Sequence, residues 1–135
     1  MQLWKQLYIT FWLAFFSCVL IPRWMDAYAG HSIHIVLGLA MLVITQSNAR
    51  RLAALPVPSR LKRISKATAG FAIFQIAAGL TLGAVMLLAP GLHMVTIVLR
   101  GAHVVSALAI LAQASSVATA YDMWEEKEFV SEPAP

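Results

Sequence analysis

The residues of this 135-residue chain best suited to chemistry are three ionisable side chains inside apolar stretches: His34, Arg100 and His103. An ionisable residue within a membrane span usually faces the interior of the bundle and marks a site. At a rise of about 1.5 Å per residue, His34 lies roughly 9 Å into one predicted helix and His103 roughly 16 Å into another. The second helix is long enough to protrude, so we expect both rings at one depth, in the outer half of the bilayer.

Two histidines at matching depth on different helices predict axial ligation of one haem b, with an imidazole on each side. Small residues near both rings leave room for a flat macrocycle. Gly38 and Ala107 each lie four residues after a histidine, on the same helix face, and Gly79 lies on the helix between. Close helix packing is the commoner use of such residues. The predicted metal ligands are His34 and His103.

Two further residues lie one turn outward from the predicted ligands. Arg100 precedes His103 by three residues and shares its face, so we expect it to pair with a haem propionate. The alternative is an arginine that snorkels to lipid headgroups. His31 precedes His34 by three residues and is expected to bond a propionate or face a substrate. The simplest alternative for the histidine pair itself is hydrogen bonding that joins helices.

The composition places these residues in a membrane protein. Hydrophobic residues make up 60% of the chain and charged residues 12%, whereas a soluble domain has about 25% charged residues. This excludes a soluble enzyme, a disordered tail and a disulfide-stapled secreted module. The single cysteine, Cys18, also excludes a disulfide framework and a zinc cluster.

Four apolar stretches are long enough to cross a bilayer, which needs roughly 20 residues per helix. They predict an all-α membrane protein, an antiparallel bundle of four transmembrane helices at about 3–21, 28–45, 67–89 and 92–121. The first is expected to be a retained helix rather than a cleaved signal peptide. Residues 1–121 form one domain, and 122–135 are expected to be an acidic, mobile cytoplasmic tail.

The charge distribution predicts the orientation. Six of the ten basic residues fall between the second and third spans: Arg50, Arg51, Arg60, Lys62, Arg63 and Lys66. The positive-inside rule makes this segment cytoplasmic, and both termini with it. The basic run is therefore assigned to topology rather than to a nucleic-acid or anionic-lipid patch. Membrane lipid is expected around the spans, and no nucleic-acid partner is expected.

Three short motifs together resemble the haem A synthase family. They are His34-x-x-x-Gly38, Gln75-x-x-x-Gly79 with the nearby Thr81, and His103-x-x-x-Ala107. The tract FAIFQIAAGLTLGA looks particularly like the third helix of that family. Members usually have eight helices in two halves, each half with one histidine pair. The resemblance covers about residues 30–120, so the chain would correspond to one half, as in short archaeal-type members.

The resemblance implies oxidation of the haem O methyl group to the formyl group of haem A, in a prokaryotic plasma membrane, for use in terminal oxidases. Haem O or haem A would then be substrate or product. In the family's catalytic half a glutamate precedes the first histidine by three residues, usually with an arginine just after it. His31 and Ile35 stand at those positions here. His31 is therefore the candidate catalytic residue, unless a partner supplies the catalytic half or the chain is no longer a synthase.

Three functions follow as hypotheses. The first is a haem A synthase-type oxidoreductase that works as a homo-oligomer, because two halves make the family's usual unit. The second is a non-catalytic cytochrome b subunit, bound to a partner membrane subunit or terminal oxidase, that passes electrons to or from quinone. The third is a haem-free structural subunit in which the histidines only join helices.

Overall fold

The computed structural model describes residues 2–19 and 28–130, with side chains described at 2–18 and 32–127. The chain is an all-α four-helix bundle, as the apolar pattern predicted. Its helices are α1 (Leu3–Val19), α2 (Tyr28–Ala54), α3 (Ser59–Leu88) and α4 (His93–Val130).

Neighbouring helices run in opposite directions. Thr68 of α3 bonds Gln113 of α4, while Gln75, further along α3, bonds His103, earlier in α4. The same reversal holds between α1 and α4, because Tyr8 near the start of α1 bonds Asp122 near the end of α4. Contacts of α1 with both α2 and α4 close the four helices into a ring.

Proline and glycine separate the later helices. Pro56 and Pro58 lie in the break between α2 and α3, and proline lacks the N–H that a helix interior requires. Pro90 and Gly91 form the turn between α3 and α4. We call the end of the bundle that holds residues 55–58 the basic end, and the end that holds Pro90 and Gly91 the turn end.

Three helices are long and apolar enough to cross a membrane: Ser32–Ala54, Ser59–Leu88 and His93–Lys127. They indicate a multi-pass membrane protein. The described part of α1 has 17 residues, about the shortest length that spans a bilayer core, so its crossing stays a prediction. The predicted end of the first span, at residue 21, lies outside the described residues.

The three later helices extend beyond the predicted spans. α2 ends at Ala54 rather than 45, α3 begins at Ser59 rather than 67, and α4 reaches Val130 rather than 121. A hydropathy estimate stops where polar residues begin, whereas Arg, Lys, Glu and Ala are all strong helix formers. The basic segment is therefore largely helical, and residues 122–130 of the predicted tail continue α4. Residues 131–135 lie outside the described residues.

The apolar core lies toward the basic end and the middle of the bundle. The basic-end cluster consists of Leu3, Leu7, Leu52, Val57, Leu61, Val117, Ala118 and Tyr121, and the middle cluster of Ala14, Met41, Ala72 and Ile110. Toward the turn end the large apolar side chains are exposed, as at Leu87 (80%) and Leu88 (79%). Lipid can cover such side chains, so their exposure is consistent with membrane spans.

The extension of α4 is joined to α1 by a hydrogen bond that the Tyr8 hydroxyl donates to Oδ2 of Asp122, at 3.0 Å. We expect Tyr8→Phe and Asp122→Ala to be coupled in a double-mutant cycle by about 0.5–1.5 kcal/mol of unfolding free energy. The coupling energy is measured by unfolding the wild type, the two single variants and the double variant in mixed micelles. Additive effects of the two substitutions would show that the bond contributes nothing to stability.

Candidate functional site

The structure places the two predicted ligands side by side in the bundle interior. His34 comes from α2 and His103 from α4, and their ring centroids are 5.9 Å apart with the planes tilted by 59°. These two helices are diagonal in the ring, since α2 packs on α1 and α3 while α4 packs on α3 and α1. The pair therefore crosses the centre of the bundle, on the turn-end side of the middle cluster.

Two polar residues hold the His103 ring. The Gln75 amide on α3 lies 3.0 Å from Nε2 of His103. Ser106, one turn along α4 from His103, contacts the Gln75 amide oxygen and also donates to the His103 backbone carbonyl at 3.0 Å. Ser106 is 3% exposed, so this arrangement is closed to solvent at one side and fixes the ring against α3.

The hydroxyl of Ser106 has one hydrogen and two acceptors near it, the amide oxygen of Gln75 and the carbonyl of His103. In the structure the Gln75 amide nitrogen faces His103 and its oxygen faces Ser106; with the amide turned over, Ser106, the amide of Gln75 and Nε2 of His103 all have complementary partners. The amide nitrogen then donates to Ser106, Ser106 donates to the carbonyl, and the amide oxygen accepts the Nε2–H of His103. In that arrangement the proton of the neutral ring is on Nε2, and Nδ1 carries a lone pair.

Nδ1 of His103 is buried and has no hydrogen-bond partner among the described residues. It lies 3.5 Å from the position that a Cβ at Gly79 would occupy, and Cε1 lies only 3.0 Å from it. Gly79 is thus the close-packing point between α3 and the His103 ring, and any side chain there would displace the ring. Gly38 plays a lesser part, because a Cβ there would lie 3.3 Å from Cδ1 of Ile76.

The other predicted site residues are less closely joined to the pair. Arg100 is exposed, and its Nη2 lies 4.0 Å from Sδ of Met86, so α3 sulfur rather than either histidine is its partner here. Ala107 is half-buried on α4. The backbone of His31 belongs to α2, but its side chain lies outside the described residues.

The spacing of the two rings suits a shared metal. Imidazole nitrogens bind metals at about 2 Å, which places the centroids of two opposed rings roughly 6 Å apart, and the observed separation is 5.9 Å. Within residues 2–19 and 28–130, no group of three or more His, Cys, Asp or Glu side chains is placed to hold an ion. His34 and His103 would be the two protein ligands of a haem iron, which needs no third side chain because its macrocycle supplies the remaining ligands.

Sequence reasoning missed Ser106 and gave Gln75 no role at the site. The sequence does mark both residues, because each is polar and lies within an apolar span. Ser106 also follows His103 by three residues, which places the two on one helix face. A polar residue in a span indicates a partner on a neighbouring helix. Identifying that partner requires the relative rotation of α3 and α4, which the sequence does not give.

A matched pair of serines on α4 tests the contact with Gln75. Ser106 and Ser116 both bond a backbone carbonyl of the preceding turn, but Ser106 also reaches Gln75. We expect Ser106→Ala to lower the unfolding free energy by about 1 kcal/mol, as for one buried hydrogen bond. Ser116→Ala should stay within about 0.5 kcal/mol of wild type. Equal effects of the two substitutions, in micelle unfolding, would contradict a role for the interhelical bond.

No protein-family model matches this chain, and neither does a curated protein or a solved structure. The geometry of the histidine pair therefore carries the functional conclusion.

Proposed function

We propose that this chain is a haem-binding integral membrane protein of the haem A synthase type, in which His34 and His103 bind one haem b. One observation carries the proposal: the two rings meet across the bundle with centroids 5.9 Å apart, close to the roughly 6 Å of two imidazoles that share a metal. The buried Nδ1 of His103, with no hydrogen bond to a described residue, supports it.

Each neighbouring residue has a task in this proposal. Gln75 accepts the Nε2–H of His103, which orients the ring and strengthens it as a donor, as outer partners of metal-bound histidines do. Gly79 keeps space beside the ring, and Arg100 reorients from Met86 toward a propionate. The bound haem supplies the redox chemistry of its iron, which in the family serves oxidation of the haem O methyl group.

The membrane orientation is part of the proposal. The six basic residues from Arg50 to Lys66 flank the α2–α3 connection. By the positive-inside rule the basic end is cytoplasmic, as are both termini. The histidine pair then lies in the outer half of the bilayer of a prokaryotic plasma membrane. Because two four-helix halves make the family's usual unit, this four-helix bundle works as a homo-oligomer or with a partner membrane subunit that supplies the other half.

A second candidate is a non-catalytic cytochrome b subunit that exchanges electrons with quinone or a terminal oxidase. The observation that favours it is the residue three positions before His34, which is His31 rather than the glutamate of the synthases. A third candidate is a haem-free structural subunit. It is favoured by the Gln75–His103 contact of 3.0 Å, which already gives one ring nitrogen an interhelical partner.

Visible spectra of the detergent-purified protein, oxidised and reduced, distinguish the three candidate functions. We expect a six-coordinate b-type spectrum, and acid extraction of the pigment identifies its side chains. Haem O or haem A in the extract favours the synthase, whereas haem b alone, in a stable complex with respiratory subunits, favours the electron carrier. A colourless protein that takes up no added haem contradicts both haem functions and leaves the structural subunit.

A further inference from the structure

A layer of polar side chains lies between the basic-end cluster and the middle cluster, separate from the histidine pair. Asn48 of α2 donates from Nδ2 to Oγ1 of Thr10 on α1, at 2.8 Å. The layer lines a partly open cavity of about 10 Å³. All four helices contribute to its wall, which consists of Leu7, Thr10, Thr45, Asn48, Ser65, Thr68, Ala114 and Val117.

Asn48 leaves one strong acceptor in this wall without a donor. The residue is 4% exposed, and its Oδ1 is buried with no hydrogen-bond partner in the described part of the chain. The amide orientation is fixed by Thr10, whose hydroxyl already donates to the Gln6 carbonyl at 2.8 Å. Thr10 must therefore accept from Asn48, so Nδ2 faces Thr10 and Oδ1 is left over.

Two of the threonine hydroxyls around the cavity direct their hydrogens to their own helices. Thr45 donates to the Met41 carbonyl at 2.8 Å, and Thr68 donates to the Ile64 carbonyl at 2.9 Å. Each bond runs one turn back along the residue's own helix. The lone pairs of these oxygens, with Oδ1 of Asn48, place acceptors from α2 and α3 around the cavity.

We infer that this cavity binds a single water molecule, which donates to Oδ1 of Asn48 and to a threonine hydroxyl. A buried water needs a cavity of at least roughly 10–15 Å³ and two to four polar partners. The observed volume of about 10 Å³ holds one molecule and no more. The water removes the desolvation penalty of the orphaned amide oxygen.

The alternative occupant, a monovalent cation, fits less well. The residues that line the cavity include no carboxylate, and an uncompensated buried charge is strongly unfavourable. The guanidinium of Arg51 also bonds Oε1 of Gln6, whose carbonyl receives the Thr10 hydroxyl. A positive charge is therefore already present near this layer. A neutral molecule with two hydrogens to donate matches the site.

Hydroxyl-radical labelling by short X-ray pulses in H2¹⁸O tests the inference on the full-length protein in detergent. Radicals formed from a bound water oxidise the side chains that touch it. Leu7 and Val117 line the cavity, whereas Leu52 and Ile110 are as deeply buried elsewhere. We expect ¹⁸O to enter Leu7 and Val117 several-fold faster than Leu52 and Ile110. Equal, slow labelling of all four overturns the inference.

Two further arms identify the occupant and its partners. Thr45→Val removes one acceptor while keeping the side-chain volume, and should slow labelling of Leu7 and Val117. Thr81→Val is its control, because Thr81 makes the same backbone bond at 2.8 Å on an exposed surface. An unchanged rate in Thr45→Val overturns the assignment of the water to these oxygens. Loss of labelling when Na⁺ replaces a bulky organic cation at constant ionic strength shows a cation site instead, and overturns it too.

Discussion

His34→Ala and His103→Ala are expected to yield protein that no longer retains haem through purification. Loss of an outer partner of a metal ligand already lowers metal affinity roughly 10–100-fold, so loss of the ligand should lower it at least as much. The measurement is haem content per protein, with the reduced-minus-oxidised spectrum. His93→Ala is the matched control, because His93 is exposed at the first residue of α4, and should keep wild-type haem content.

A variant that keeps a ligand separates loss of coordination from loss of fold. His34→Met retains a side chain able to bind iron, and a Met/His pair raises the reduction potential relative to two histidines. We therefore expect bound haem with an altered spectrum and a higher potential. If His34→Ala and His103→Ala keep the wild-type spectrum, the histidine pair does not hold the iron, and the haem functions proposed on it fail.

Gly79→Val is expected to displace the His103 ring. A Cβ at this position already lies 3.0 Å from Cε1, and valine adds two methyl groups beyond it. Overpacking of this kind typically lowers the unfolding free energy by about 1–3 kcal/mol. Because Nδ1 and the Gln75 contact move with the ring, we also expect haem content to fall and the six-coordinate spectrum to be lost.

Gly83→Val supplies the control, one helical turn along α3. A Cβ at Gly83 meets no atom within 4 Å, so this variant carries the same change in helix propensity without the contact. The difference between the two variants in micelle unfolding and in haem content isolates the effect of the His103 ring. Equal behaviour of Gly79→Val and Gly83→Val would contradict the close packing on which the site depends.

Much of the fold was predictable, because apolar stretches separated by proline, glycine and charge indicate helices and their order. The lengths of the helices were not predictable from hydropathy. The polar ends of α2, α3 and α4 stay helical where hydropathy stops, since a helix continues as long as its residues favour it and no proline intervenes. Pro58 and Pro90 mark the real breaks. Helix propensity, applied to residues such as Arg63 and Glu126, would have extended the predictions.

The candidate site was predictable only in part. The rise per residue along two helices was enough to place His34 and His103 at one depth, and the two rings lie together. Their partners depended on how each helix is rotated about its axis, which the sequence pattern leaves open. The Gln75–His103 contact therefore emerged only from the structure, as did the Asn48–Thr10 contact. Arg100 shares a face with His103, yet its long side chain reaches Met86.

The ring closure between α1 and α4 sets an order for assembly during synthesis. Gln6 and Thr10 find their partners, Ser47 and Asn48, on α2, so a helical hairpin can form early in translation, when N-terminal elements fold first. The hydrogen bond of Tyr8, on the other side of α1, cannot form until Asp122 has been synthesised, 114 residues later. Until then the face of α1 that packs on α4 stays uncovered, and chains cut short before α4 keep that face open to the quality control that removes incompletely folded protein.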